Sequence, residues 1–205
     1  MSIVPINELR QLILSPSAET RTNAYKAILQ YIETGDSQTV KDLIILVSEE
    51  KTPIIDRALE VVLAFLKDET VDRISVARGV IKNVITFGVN GKGIEARLAV
   101  LTEVCALGLY DNVFNELLHV SFHGKNLVDV ESIVLALLQK FGPTVTPIKP
   151  VLDQAIQWAS ARETEVRLGA VKIFHYYVSN VGEPVKKYLL KLKAPQQNVL
   201  DDYCL

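Results

Sequence analysis

Apolar residues recur along this chain at spacings of three and four, as in Ala58, Val61, Val62, Phe65 and Leu66, and again in Ile133, Leu137 and Leu138. That period puts them on one stripe of an α-helix. Read along its length, the pattern predicts helices over residues 5–14, 19–33, 37–49, 53–67, 71–87, 94–107, 111–122, 126–141, 147–159, 163–181, 183–192 and 195–203, and it needs no strand. Pro53, Pro147 and Pro195 stand at first-turn positions, where the missing N–H costs nothing. Gly35, Gly88, Gly142 and Gly182 close the helices before them or turn the chain.

Five short polar loops, Ser17–Glu19, Lys51–Pro53, Gly91–Gly93, Gly124–Asn126 and Arg162–Thr164, lead straight into apolar helices and fall 33 to 39 residues apart. A period in that range marks a helical repeat, in which a helix pair cannot bury its apolar face alone and must stack on its neighbours. The expected architecture is all-α: an α-solenoid of about six antiparallel helix pairs, at 5–33, 37–67, 71–107, 111–141, 147–181 and 183–203, forming a single array over residues 1–205. The function of such an array is expected on a ridge of its loops.

Composition adjusts this picture only at its edges. Hydrophobic residues make up 49% of the 205 positions, with 10 Gly and 8 Pro, which supplies apolar surface for a continuous core. A formal charge of −2 speaks against a nucleic-acid partner, which calls for a basic face. Cys105 and Cys204 form neither a disulfide framework nor a metal-ligand spacing, and fit a reducing compartment. The first six residues lack a basic segment followed by a long apolar run, and runs such as Val61–Leu66 are too short to span a bilayer. A cytoplasmic protein without a membrane partner is expected.

The pairs share a small grammar: Arg21-x-x-Ala24, Arg57-Ala58-Leu59 and Val166-Arg167-x-x-Ala170. A basic residue in the first turn reaches the loop face, and a small residue after it lets the helix pack close to its neighbour. This grammar resembles the HEAT repeat. The C-terminal third adds a fixed succession: Phe141-Gly142, Ile148-Lys149-Pro150, Val166-Arg167-x-x-Ala170, Gly182, then Leu192-Lys193-Ala194-Pro195-Gln196 with Leu200. That order resembles a TOG domain, the tubulin-binding HEAT array of the tumour-overexpressed-gene microtubule polymerases.

The resemblance implies a loop ridge that clasps αβ-tubulin and helps regulate microtubule growth, at the cytoskeleton and the spindle or spindle pole, without a cofactor. It implies further TOG arrays in the parent protein, or a minimal single-domain member. Carried over residue by residue, it marks Lys125 and Arg167 as contacts, Lys92 as a third, and Arg21 and Arg162 as peripheral steering, with Thr52 and Pro53 on the second loop. Ala18 stands where the family commonly presents a Trp, Asn90 and Ile94 where the third loop is usually basic, and Val178-Ser179-Asn180 where Tyr-Arg-Trp is usual. Loss of an aromatic anchor removes a large part of an interface's affinity. Glu19, Glu49, Glu50, Glu163 and Glu165 make the ridge mixed in sign.

Duller readings stand beside these. An Arg in a first turn also serves as a structural bridge along a solenoid. Trp158, Tyr176 and Tyr177 read as core packing, and His119, His123 and His175 have no partner at metal spacing. Gly91-Lys92-Gly93 lacks the upstream Gly, the Ser/Thr and the strand of a phosphate loop, and Asp201-Asp202 reads as solvated surface. No catalytic constellation emerges. The rival reading is a HEAT scaffold or transport adaptor that binds a non-tubulin peptide on its helical face.

Overall fold

Every apolar stripe needs a partner stripe, and the computed structural model, which describes residues 4–86, 93–119, 125–192, 194 and 197 apart from the side chain of Lys125, meets that need with stacked helix pairs. Among the described residues the elements are all helical: α1 (Ile6–Ile13), α2 (Ala18–Glu33), α3 (Ser37–Val47), α4 (Ile55–Lys67), α5 (Arg73–Ile85), α6 (Ile94–Ala106), α7 (Tyr110–His119), α8 (Lys125–Phe141), α9 (Ile148–Trp158), α10 (Thr164–Val181) and α11 (Glu183–Leu189). The fold is the all-α solenoid that the repeat period predicts. Two compact units divide the chain, residues 1–113 and 114–205, with the boundary inside α7.

In the first unit consecutive helices pack as hairpins, and two layers result, α1, α3 and α5 in one and α2, α4 and α6 in the other. Val40, Leu43, Ile44 and Val47 of α3 and Val61, Val62, Phe65 and Leu66 of α4 are all at most 2% exposed and fill the space between layers. Helices in one layer run parallel. Asn83 of α5 donates to Ser48 Oγ at the end of α3 at 2.9 Å, and a Cβ on Gly79 would sit 2.8 Å from Ile45 Cδ1, so the sequence offset between facing residues stays near the repeat length. At the opposite end of the hairpin, buried Ser37 donates to Asp68 and ties the start of α3 to the end of α4.

In the second unit α10 is the hub, packing on α8, α9 and α11. Tyr176 Oη donates to the Leu138 carbonyl at 2.6 Å, and Gly169 faces Glu131, so both contacts between α10 and α8 share one register and the helices start at the same end. Trp158 and Tyr177 lie in the core, as their apolar bulk predicts. Gly182 ends α10 with φ 76°, a backbone region that costs a residue without a Cβ nothing.

Helix starts deviate from expectation for local reasons. α4 begins two residues after Pro53, which instead occupies the turn in which Ile55 N–H bonds the Thr52 carbonyl at 3.0 Å. Asp72 caps α5 by accepting from Ser75 N–H at 3.2 Å, so that helix starts at Arg73 rather than Val71. Pro147 is likewise the residue before α9, not its first. The helix expected over 195–203 and the turn at Gly88 lie outside the described residues.

Glu131 is a feature of the core that the apolar pattern does not foretell. It is 2% exposed, its carboxyl oxygens have no hydrogen-bond partner among the described residues, and burial holds its pKa up at about 8. A Cβ on Gly169 would collide with that carboxyl, with Cδ only 2.7 Å away. The acid is therefore seated in a notch that only glycine leaves open.

A carboxyl protonated more readily in the folded than in the unfolded chain makes stability fall as pH rises from its ordinary value near 4.5 to about 8, and level off above that. Thermal melts across that window should show the decline in the wild type and a much flatter profile in Glu131→Gln. An unchanged slope in the variant would place the titrating group elsewhere. Gly169→Ala should destabilise by about 1–3 kcal/mol, and by less in a Glu131→Ala background.

Candidate functional site

The end of a helix and the tight reversal that follows it leave backbone carbonyls that no helical N–H answers. One side-chain type answers them. Arg21, Arg97 and Arg167 are each the fourth residue of the second helix of a pair, α2, α6 and α10, and each turns its guanidinium back toward the end of the preceding helix. Arg21 Nη1 donates to the Ser15 and Pro16 carbonyls at 2.7 and 3.1 Å. Arg167 Nη1 repeats this on the Ala161 and Arg162 carbonyls at 3.0 and 2.6 Å, and its Nη2 donates to Thr164 Oγ1 at 2.9 Å. Arg97, with no exposed surface, donates through Nη1 to the carbonyls of Val84 and Thr86 at the end of α5. A cation at a helix C-terminus also opposes the negative end of the helix dipole.

The shared grammar is therefore right for Arg21 and Arg167 and wrong for Arg57. Arg57 is exposed, is the third residue of α4, and pairs with Glu60 of its own helix at 3.0 Å. Arg97 takes the third place instead. Counting four residues from the start of each second helix finds all three; matching on a following small residue misses Arg97, which is followed at that spacing by Val100.

The first two loops are locked together by Glu50. Its Oε2 accepts from Arg21 Nε at 2.7 Å and Tyr25 Oη at 2.8 Å, and its Oε1 accepts from the backbone of Lys51 and Thr52 at 3.1 and 2.9 Å. Arg21 also donates to Thr52 Oγ1 at 3.1 Å. Burial alone raises the carboxyl's pKa, but the hydrogen bonds from Thr52, Tyr25 and Arg21 outweigh it and bring it to about 2. The same carboxylate, together with burial, pushes the Tyr25 hydroxyl far above its ordinary pKa, with burial the larger cause. The third loop joins the row through Gly93, whose φ of 75° turns the chain into α6 and where a Cβ would press on Ile55 and Asp56 at 2.9 and 3.2 Å.

The expected contact residues divide accordingly. In the first unit Ala18 and Pro53 are exposed on adjoining loops, while Thr52 is half-buried with its hydroxyl committed to Arg21. Arg21 is 11% exposed, uses four of its five N–H donors internally and is neutralised by Glu50, so it adds little steering charge. In the second unit Arg162 is exposed, and Arg167 keeps two N–H donors beyond its loop bonds. Lys125 opens α8 at the same end of the unit as the start of α10, but its side chain lies outside the described residues, as does Lys92.

Leu14, 64% exposed at the end of α1, was not anticipated. It flanks a cavity of about 250 Å³ lined also by Leu46, Arg21, Glu49 and Glu50. Its exposure follows from its place one residue past the buried stripe of Leu9 and Ile13. Among the described residues, no three His, Cys, Asp or Glu side chains gather as a metal site, and no helix is long and apolar enough to cross a membrane.

This geometry defines a HEAT-type solenoid whose loops are held by side-chain hydrogen bonds. No protein-family model matches the sequence, and no curated protein matches it. The fold is similar to that of a solved chain from a structural study of tubulin recruitment and assembly by microtubule polymerases with TOG domain arrays. The TM-score is 0.75 at 14% sequence identity, over 96% of this chain and 45% of the other. The present chain thus has a TOG-like fold and spans less than half the length of that neighbour.

Glu50→Gln should cost about 3 kcal/mol by leaving a nearly buried guanidinium without its counter-charge, and Arg21→Met in the same chain should recover part of that loss. Because the folded pKa is depressed, the carboxylate's contribution is complete above its ordinary value of 4.5 and is lost as pH falls toward 2. Acid unfolding of Glu50→Gln should accordingly show a shallower dependence below pH 4.5 than the wild type.

Proposed function

We propose that residues 1–205 form one array that binds αβ-tubulin through its intra-repeat loops and helps regulate microtubule growth. The observation that carries this reading is the likeness of fold, along 96% of the chain, to a chain from polymerases that recruit tubulin with TOG arrays. The loops held by Arg21 and Arg97 in the first unit and by Arg167 in the second support it, since a rigid loop meets a partner at little entropic cost. In this reading Lys125, Arg162 and Arg167 supply charge-assisted donors, Lys92 adds a third-loop cation, and Ala18, Thr52 and Pro53 provide the close-packed first and second loops with Arg21 beneath them. Leu14 offers an apolar contact beside Ala18, where the family's Trp is missing.

The chain acts as a binding scaffold rather than an enzyme, associated with the microtubule cytoskeleton, including the spindle. Holding a subunit does not by itself promote assembly. Further arrays in the parent protein would raise the local concentration of tubulin near a filament end.

Size-exclusion chromatography with unpolymerised αβ-tubulin at low salt tests this. The wild type should co-elute, and raised salt should weaken the complex. Lys125→Glu with Arg162→Glu, and separately Leu14→Asp, should each lower affinity by about tenfold or more. A wild type that elutes apart from tubulin would refute the reading.

A further inference from the structure

Between the C-terminal halves of α8 and α10 lies an open groove of about 310 Å³, at the far end of these helices from Lys125 and Arg162. Its floor is Leu135 and Tyr176, both half-buried, and its walls are Gln139, Lys172, His175, Ser179 and Asn180. We propose that this groove is a second binding site that takes an extended acidic segment of a partner protein.

Charge selects the occupant. None of the residues lining the groove is acidic, and Lys172 is exposed without an ion pair among the described residues. Lys149 and Lys191 share Asp153 at 3.0 and 3.5 Å and Lys186 pairs with Glu183, whereas Lys140, Lys172 and Lys187 are exposed without an ion pair among the described residues, and of these three Lys172 lines the groove. Glu131, one turn before Leu135 on α8, is buried and stays protonated below about pH 8, so it places no negative charge behind the groove. A carboxylate of the partner would complete the pair that Lys172 lacks.

Hydrogen-bonding capacity selects an extended backbone over a helix. The wall is held in place by Tyr176 Oη on the Leu138 carbonyl at 2.6 Å and by Asn180 Nδ2 on the Tyr176 carbonyl at 2.7 Å. The Asn180 carbonyl oxygen, the Gln139 amide and the Ser179 hydroxyl are then available to a peptide's N–H and C=O groups. A docked helix would bring its backbone already paired and would need several apolar holes, whereas the floor offers one leucine and one ring. The site is independent of the loop ridge, and the two are separable by mutation.

Fluorescence anisotropy of a labelled hexaglutamate peptide, titrated with the full chain at low salt, reads this directly. The wild type should bind hexaglutamate and not hexalysine. Lys172→Glu should weaken binding by at least about tenfold, Lys172→Arg should retain it, and Lys149→Glu, the same charge change on α9, should leave it within about twofold. Unaltered circular dichroism of Lys172→Glu, an exposed substitution, establishes that the fold persists. No binding by the wild type, or equal losses in Lys172→Glu and Lys149→Glu, would overturn the proposal. So would binding that emerges only after removal of residues 198–205, which would make the chain's own Asp201-Asp202 end the occupant.

Discussion

The return of a guanidinium onto backbone carbonyls at the reversal between paired helices is the interaction that fixes the loops of each unit. A tight reversal between antiparallel helices concentrates acceptors that no helical N–H answers, and such an acceptor, where it is buried, costs about 1–3 kcal/mol. Arginine suits the task because its planar fork reaches two carbonyls at once while its stem lies along the helix. Arg21 and Arg167 do this on equivalent pairs of carbonyls, five and six residues upstream, although the surrounding sequences share little. Arg97 does it on a longer loop by reaching back to the end of α5.

Most of the fold was legible because amphipathic period and repeat spacing are properties of consecutive residues. Ile94, Glu183 and Ser37 start their helices where the pattern puts them, and Trp158 and Tyr177 are buried as their bulk suggests. The departures at Pro53 and Asp72 come from turn and cap chemistry that overrides a proline's usual place or extends a loop by two residues. The site was less legible. A first-turn arginine carries the same letter whether it faces solvent, like Arg57, or vanishes entirely, like Arg97, and only the path of the preceding loop decides between them. Glu131 was invisible for the converse reason: its seat is made by the missing side chain of Gly169, 38 residues away.

These arrangements divide the loop residues into those spent on structure and those left exposed. Arginines committed to structure contribute shape more than attraction, and the exposed groups are others: Leu14 in the first unit and Arg162 in the second. The two acids at the second loop divide in the same way: Glu49 is exposed, while Glu50 is spent internally on Arg21 and Tyr25.

The carboxylate of Glu50 has a mechanical corollary. Because it grips Arg21 and Tyr25 of one repeat with one oxygen and the backbone of the next repeat's loop with the other, the two loops cannot tilt separately. A force applied to either is felt by both, and the pair behaves as a single lip hinged on one residue. Removing that one carboxylate would leave each loop freer to move on its own.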